Sequence, residues 1–332
     1  MLALALAATV GLCPSLLVQV ETAPPVRVVA IDDGRRDVLL GDLPFASYRS
    51  DAPPGMRTAV TPAVFPLFGP KGVGMTRGYP FARVDGDPQD HPHQRSFWFA
   101  HGDVNGVNFW ELKDGGPAIV HERFEALRDG DAGDTVVARN RWVDGEGRVI
   151  ATDRRELRFF SDPRDTLRGI DSTITIRAPS GELRFGDTKE GTLGFRMRPE
   201  LALKGNGAAG EVIDSEGRRG AAVWGKRARW IAYFGPVDGK PLGFALMDHP
   251  RNLRHPTWWH ARDYGLAAAN PFGQHDFEGV DGKPGEYVLE SGAALTFRHR
   301  LVLFEGEADQ ERLDGWWREF AATGADEAEV KR

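Results

Sequence analysis

The chain has 332 residues, of which 41% are hydrophobic and 27% are charged, and its formal net charge is −6. This length can bury one large core or two small ones, and one all-β domain of this size is ordinary. The acidic balance and the scattered arginines provide no basic stripe for a phosphate backbone, which excludes nucleic acid as an expected partner.

The first twenty residues, MLALALAATVGLCPSLLVQV, carry no charge and are followed by ETAPPV. This pattern predicts a signal peptide or an N-terminal anchor over residues 1–23, although the usual positive residues at its start are missing. We therefore expect a secreted or periplasmic protein in which residues 24–332 form a single domain. The sole cysteine, Cys13, lies in this first segment. The mature chain would then have no disulfide, no thiol nucleophile and no Cys-ligated zinc.

Alternation with a period of two is the commonest pattern in the rest of the chain. Within 170–177, the isoleucines occupy one face and polar side chains the other, as a half-buried antiparallel strand requires. Similar patterns, separated by Gly, Pro and Asp turns, predict further strands at 26–31, 117–127, 134–143, 149–160, 182–187, 192–198, 221–235, 241–248 and 295–303. The sequence therefore predicts an all-β fold, a large antiparallel β-sandwich.

One helix is predicted near the C-terminus, over residues 307–322. Its apolar residues Leu313, Trp316, Trp317 and Phe320 are spaced to share one face of a helix. We expect this face to cover a sheet. No apolar run after residue 20 reaches the roughly 18 residues of a membrane span, so we expect none in the mature chain.

Three segments, 88–111, 186–196 and 248–278, have too many polar groups to be read as ordinary strands. We interpret them as long loops on the β scaffold. Loops of this kind are more often functional than incidental, and we expect the three to converge on one site.

The first segment, DHPHQRSFWFAHGDVNGVNFWE, contains an H-x-H pair, His91 and His93. Pro92 favours an extended His91, and in an extended chain both imidazoles project to the same side. The pair could hold a divalent metal, hydrogen-bond sugar hydroxyls, move protons, or simply satisfy loop carbonyls. A third metal ligand would come from one of three neighbours: Asp90, His101 or Asp103.

The second segment, GDTKEGTLGFR, is predicted to form a strand, a turn and a strand, with Lys189 and Glu190 at the bend. The two side chains could form an ordinary surface ion pair. Alternatively, Glu190 is a general acid or base tuned by partial burial, with Arg196 reaching back from the following strand.

The third segment contains WWHARDYG, in which His260 and Arg262 would project from the same side of an extended chain. Other polar residues of the segment are Asp248, His249, His255, Tyr264, Asn270, His275 and Asp276. Arginine, asparagine, histidine and indole groups together suit a polyhydroxylated ligand, because planar donors and acceptors meet hydroxyls while aromatic faces cover C–H surface.

In this order and at this spacing, DHPHQRSFWFAHGDVNGVNFWE, DTKEGTLGFR and WWHARDYGLAAANPFG resemble the secreted bacterial PmoA-like family, often labelled "methane oxygenase PmoA". The resemblance covers residues 60–305 and implies a galactose-mutarotase-like supersandwich, whose sugar sites use histidines and a glutamate. That family usually has a histidine where this chain has Gln94. The resemblance implies a site made of His91, His93, Arg95, His101, Asp103, Asn105, Glu190, His260, Arg262 and Asn270.

Methane oxidation by a membrane enzyme would need several spans, so we reject that activity. Two interpretations remain: a carbohydrate-active epimerase, lyase or hydrolase, or a non-catalytic carbohydrate-binding sandwich. For the enzyme we predict Glu190, His93 and His260 as catalytic residues. We predict a substrate-binding set of His91, Arg95, His101, Asp103, Asn105, Lys189, Arg196, Arg262 and Asn270. A divalent metal at His91 and His93 is left open, and no nucleotide cofactor is expected.

Overall fold

The structure is a computed structural model that describes residues 22–58, 60–111, 113–126 and 133–324. Nearly all of the predicted signal peptide or anchor over 1–23, including Cys13, lies outside the described residues. Within them, no helix has both the length and the apolar character needed to cross a bilayer.

The described chain is mostly strand. In chain order the strands are β1 (Val26–Asp32), β2 (Arg35–Leu40), β3 (Leu43–Arg49), β4 (Ala63–Leu67), β5 (Phe97–His101), β6 (Ala118–Phe124), β7 (Thr135–Val143), β8 (Val149–Ser161), β9 (Leu167–Arg177), β10 (Leu183–Phe185), β11 (Gly191–Arg196), β12 (Glu211–Asp214), β13 (Trp230–Val237), β14 (Lys240–Asp248), β15 (Trp258–Arg262), β16 (Leu266–Asn270), β17 (Tyr287–Leu289) and β18 (Ala294–Glu305). The α-helices are α1 (Gln274–Glu278) and α2 (Gln310–Ala321), and single 3₁₀ turns occur at Pro70–Gly72, Pro199–Leu201 and Gly220–Val223.

Two eight-stranded antiparallel sheets form a sandwich, which confirms the predicted fold class. The first sheet has the order β1-β2-β3-β4-β5-β11-β16-β15, and the second has the order β12-β13-β14-β18-β9-β8-β7-β6. Their facing sides share one apolar core. In that core Phe195 of β11 meets Phe244 of β14 with ring centroids 4.2 Å apart, and Phe99 of β5 meets Phe297 of β18 at 5.6 Å.

The alternation that predicted β9 is visible in its burial. Ile170, Ile174 and Ile176 are fully buried, whereas the residues between them are partly exposed except Ser172. Each buried isoleucine contributes roughly 1.5–3 kcal/mol of hydrophobic stabilisation. This term fixes the register, since a slip of one residue would turn the apolar face to water.

Two sequence predictions about the elements are wrong. The predicted strand 221–235 begins only at Trp230, after a 3₁₀ turn and a loop. The segments 88–111 and 248–278, interpreted as long loops, contain the strands β5, β15 and β16, whereas β11 agrees with the strand predicted at 192–198. In β5 and β16 every residue is buried, so the alternation that identifies a half-exposed strand is missing.

The predicted C-terminal helix is confirmed as α2 and covers the outer face of the second sheet. Asp309 caps its N-terminus by accepting a hydrogen bond from the Arg312 N–H at 2.8 Å. Leu313 and Phe320 are buried in a second apolar cluster with Trp230 of β13. The helix is therefore held by the apolar face that its sequence predicts.

Candidate functional site

The pairing of four neighbouring strands places polar groups of the three segments on one side of the first sheet. Trp98 of β5 pairs with Gly194, Gly194 pairs with Ala268, and Ala268 pairs with His260 of β15. Residues paired in this way project from the same face. That face points away from the second sheet, because the intervening Phe195 packs against β14. His260 and Arg262 therefore project outward.

The two central members of this row are small, and this leaves room between the large side chains at its ends. Gly194 cannot be larger, because a Cβ at this position would lie 2.5 Å from the Trp98 indole. A cleft of about 240 Å³ opens here. Its lining residues come from all three segments and are His91, His93, Gln94, Trp110, Glu111, Lys189, Glu190, His260, Arg262 and Tyr264.

Six of the twelve predicted site residues line this cleft: His91, His93, Lys189, Glu190, His260 and Arg262. All three side chains predicted to be catalytic are among them. About 170 residues separate the first of the six from the last, so only the strand order β5-β11-β16-β15 brings them together.

A buried arginine fixes the loop that carries the two histidines. The Arg77 guanidinium is fully buried and donates hydrogen bonds to the carbonyls of Pro88, Asp90, His91 and Gln94 at 2.9–3.1 Å. The two terminal nitrogens thus donate to oxygens of the loop while Nε donates to the Tyr79 carbonyl at 3.2 Å, a set of contacts that a smaller cation could not match.

The H-P-H stretch is a tight turn, and its predicted extended form is wrong. His91 has a φ of 43°, in the left-handed region, and its carbonyl accepts a hydrogen bond from the Gln94 N–H at 3.0 Å. The two imidazoles still come close, with ring centroids 5.6 Å apart and nearly perpendicular planes. The hydrogen bonds from Arg77 account for this conformation, because they draw the loop carbonyls around one guanidinium group.

Asp90 joins this loop to the sheet beneath it. Its Oδ1 lies 2.5 Å from Arg77 Nη1 and accepts a hydrogen bond from Arg196 Nη2 at 3.1 Å. Burial raises the pKa of the Asp90 carboxyl, but the charges of Arg196 and Arg77 outweigh it, so the pKa is lowered overall. Arg196 therefore supports the loop from below and is itself buried.

Tyr264, in the turn after β15, closes one end of the cleft. The His91 ring stacks on it with centroids 5.1 Å apart and an interplanar angle of 6°. The guanidinium carbons of Arg196 and Arg262 lie 4.7 and 5.4 Å from its centroid. Its hydroxyl accepts a hydrogen bond from Gln94 Nε2 at 3.1 Å. Protein groups thus occupy the tyrosine ring, which leaves no open aromatic shelf there.

The two histidines predicted to be catalytic are uncharged near neutral pH. Burial, helped by the nearby His91, lowers the pKa of His93 to about 4. Burial, together with the charges of Arg262 and Lys189, lowers the pKa of His260 to about 3. The Nδ1 of His260 has no hydrogen-bond partner among the described residues. A neutral imidazole can both donate and accept a hydrogen bond, which suits hydroxyl ligands.

Lys189 and Glu190 form the predicted ion pair, and both side chains are about one-third exposed. Lys189 Nζ lies 3.0 Å from Glu190 Oε1. Burial alone would lower the Lys189 pKa, but the hydrogen bond and the charge of Glu190 raise it overall. The Lys189 N–H also donates to Asp276 Oδ2 at 2.7 Å, which ties this bend to α1.

The other six predicted residues lie outside the cleft lining and make protein contacts. Arg95 is buried and donates to the Thr61 carbonyl at 2.6 Å, and His101 Nε2 is 2.9 Å from the Gly186 carbonyl. Asp103 Oδ1 accepts from the Gly106 N–H, and Asn105 bridges to the backbone of Glu182 and Arg184. Asn270 Nδ2 donates to the Thr188 carbonyl, and Arg196 supports Asp90.

The expectation that the whole third segment converges on one site is wrong for its first part. Asp248, His249 and His255 lie beneath α2, where Trp317 Nε1 donates to the Asp248 carbonyl at 2.9 Å and the His255 ring stacks on Trp317. The segment passes from the second sheet to the first between Asp248 and Trp258. Only the middle of the segment, from His260 to Tyr264, lines the cleft.

Neither His101 nor Asp103 completes a metal site with the H-x-H pair. Within residues 22–324, apart from the undescribed stretches, no group of three or more His, Cys, Asp or Glu side chains is arranged to hold a metal ion. Asp90 Oδ2 lies 3.1 Å from His91 Nδ1. A metal at His91 and His93 stays a prediction for elemental analysis.

Sequence reasoning missed five residues of the site: Arg77, Gln94, Trp110, Glu111 and Tyr264. Trp110 and Glu111 end the first motif and Tyr264 lies in the third, so their proximity to predicted residues was a usable signal. Arg77 stands alone in the sequence, and nothing there distinguishes it from other arginines.

Comparison with known proteins places the chain in a family without supplying an activity. No curated protein matches the sequence. The similar solved structures include heparan sulfate lyase HepC from Pedobacter heparinus (8% identity, TM-score 0.36), the Slr1438 protein from Synechocystis sp. PCC 6803 (11%, 0.36) and the GH36 alpha-galactosidase AgaA from Geobacillus stearothermophilus (10%, 0.37).

The similarity to these three structures extends over 90%, 87% and 85% of this chain, respectively. It spans 38% of the lyase, 99% of the Slr1438 protein and 41% of the galactosidase. The model of one family of unknown function, DUF6807, matches residues 35–318, which include every residue of the cleft. The chain belongs to that family.

Proposed function

We propose that this chain is an exported carbohydrate-active enzyme, an epimerase, lyase or hydrolase, that acts on a sugar or sugar derivative in the cleft. The observation that carries the proposal is the meeting of Glu190, His93 and His260 around one outward-facing opening. Titratable groups with strongly shifted pKa values, gathered in a cleft, are more frequent in active sites than elsewhere on a surface.

Glu190 is the proposed general acid or base. Its side chain is about one-third exposed, and its carboxylate has a fixed partner in Lys189. A Cβ on Gly102 would lie 2.8 Å from Glu190 Cβ, so the neighbouring backbone packs closely against the glutamate stem. This packing restricts the carboxylate to a few orientations, and a positioned acid or base typically contributes 10²–10⁴-fold to a rate. His93 and His260, both neutral, would hydrogen-bond the hydroxyls on either side.

The alternative, a non-catalytic carbohydrate-binding sandwich, requires an accessible aromatic surface on which a sugar ring can stack. Tyr264 is covered by His91 and two arginines, and Trp110 is buried against Trp98 with ring centroids 5.0 Å apart. The aromatic rings at the cleft are thus engaged with the protein, which supports the enzyme over the binding module.

The test is an NMR screen of the purified protein against oxidised and unmodified glycosides, with and without chelator. We expect at least one glycoside to be converted, and we expect the conversion to be lost in the Glu190→Gln variant. Line broadening of a glycoside without any conversion in the wild type would favour the binding module. A loss of conversion with chelator would assign a metal to the reaction.

A further inference from the structure

The charges around the cleft are not balanced. Arg77 and Arg196 both contact the carboxylate of Asp90, and Lys189 contacts that of Glu190. Arg262 lines the same cleft, and its guanidinium has no carboxylate partner and no hydrogen-bond acceptor among the described residues. Glu111, the other acid of the lining, is engaged with Lys113 at 2.6 Å.

The Arg262 side chain is held in place although it lacks a polar partner. It projects from β15, which is an edge strand of the first sheet and pairs there only with β16. Its guanidinium carbon lies 5.4 Å from the Tyr264 centroid. A cation–π contact of this kind restricts the guanidinium and leaves N–H groups free to donate. Two parallel N–H groups match the two oxygens of a carboxylate, which is the strongest neutralising contact an arginine makes.

A second feature points to an anion at the same place. His260 precedes Arg262 by two residues on the same face of β15, is 2% exposed, and has an unpartnered Nδ1. Burial lowers the pKa of this imidazole most, and the positive charges of Arg262 and Lys189 lower it further. They also repel each other, because Arg262 opposes the protonated form of Lys189. A bound anion would relieve both unfavourable interactions, and the free Nδ1 of the neutral imidazole could accept a hydrogen bond from a sugar hydroxyl.

We infer that the substrate is an acidic sugar, one that carries a carboxylate, and that Arg262 binds this carboxylate. The inference rests on the proposed function, since it names the substrate class of the same cleft. Neutral sugars would satisfy the hydroxyl-binding histidines but would leave the Arg262 guanidinium without a counter-charge. The carboxylate would therefore determine specificity, whereas Glu190 would perform the chemistry.

The experiment compares matched pairs of methyl glycosides that differ only in the carboxylate: glucuronide against glucoside, and galacturonide against galactoside. Calorimetric titrations use the wild type, Arg262→Gln, Arg262→Lys and the control Arg141→Gln, which alters an exposed arginine on β7 of the other sheet. We expect the wild type and the control to bind one acidic member at least about 10-fold more tightly than its neutral partner.

Arg262→Gln should weaken binding of the acid roughly 10- to 100-fold and change binding of the neutral partner less than about twofold. Arg262→Lys should retain part of the preference, because it keeps the charge but not the paired donors. Equal affinity for acid and neutral sugars in the wild type, or an undiminished preference in Arg262→Gln, would overturn the inference and leave the proposed function standing. Failure of all four glycosides to bind would overturn both.

Discussion

Two parts of the molecule contain the same kinds of side chain, yet they differ in whether their charged groups have partners. Beneath α2, both oxygens of the buried Asp248 carboxylate have partners. Oδ1 accepts from Asn252 Nδ2 at 2.7 Å, and Oδ2 accepts from the Thr257 N–H at 2.9 Å and lies 2.7 Å from His255 Nδ1. The Asp248 cluster (Asp248, Asn252, His255 and Thr257) therefore has no capacity left for a ligand at its charged group.

The cleft on the first sheet differs in this respect. Arg262 has no acceptor and His260 Nδ1 has no partner among the described residues, although both are held on a rigid strand. A buried polar atom such as His260 Nδ1 costs free energy when it is left without a partner, whereas the partly exposed Arg262 guanidinium is open to solvent and to a ligand. The comparison teaches that histidine, acid and aromatic residues close together in the sequence do not by themselves make a site. A site also requires polar groups that lack protein partners and face an opening.

The largest effect on stability is expected at the saturated cluster. Asp248→Ala leaves three donors without an acceptor in a buried place, and we expect the free energy of unfolding to fall by roughly 3–5 kcal/mol. Urea denaturation measures this loss, with Glu190→Gln as the partly exposed control that should change stability by less than about 1 kcal/mol. A larger loss of stability in Glu190→Gln than in Asp248→Ala would contradict the distinction between the Asp248 cluster and the cleft.

A smaller effect is expected where the protein fixes the cleft. Arg77→Lys keeps the charge but supplies three donors in place of the guanidinium fork, so several carbonyls of the loop 88–94 lose their partner. We expect a loss of roughly 2–4 kcal/mol in the free energy of unfolding. Sugar affinity, measured by titration, should also fall because His91 and His93 are no longer held. Wild-type affinity in a destabilised variant would mean that the loop is positioned by other contacts.

The pH dependence of stability should show the neutral state of the buried histidines. Burial lowers the pKa of His101 to about 4, below its ordinary value of 6.5. As the pH falls from 6.5 towards 4 the unfolded chain binds the proton first, so stability present above pH 6.5 is progressively lost. Replacement by glutamine removes this proton site and should reduce the loss between pH 7 and pH 5 by about 2 kcal/mol.

Glutamine at the exposed Leu43, a position without an ionisable group, serves as the control for this measurement and should leave the pH dependence as in the wild type. Denaturation curves at the two pH values give the comparison. An identical slope in both variants would show that His101 is charged or solvated in the folded protein.

The fold was largely predictable because β8 and β9 are long and half-exposed, so apolar and polar residues alternate along their sequences. The strands β5 and β16 were not predictable in this way, because FWFAH and LAAAN are buried on both faces. Alanine, which favours strands only weakly, obscured β16 further.

The residues of the candidate site were only partly predictable. His93, Glu190 and His260 have the chemistry of a site and lie in dense polar segments, and the structure brings them to one cleft. His101 and Asn270 have the same chemistry, but the backbone carbonyls of Gly186 and Thr188 engage them. Tertiary contacts decide which polar group is left open, and a single sequence does not contain that information.

The central claim, that the cleft is a site of chemistry and that Glu190 carries it, is tested most directly by Glu190→Gln. This change keeps the shape and the hydrogen-bonding reach of the side chain but removes the ionisable proton site. With a glycoside found in the screen, turnover should fall by roughly 10²–10⁴, the usual contribution of a positioned acid or base, while the affinity changes less than about threefold. Unchanged turnover in Glu190→Gln would contradict the account and move the proton transfer to His93 or His260.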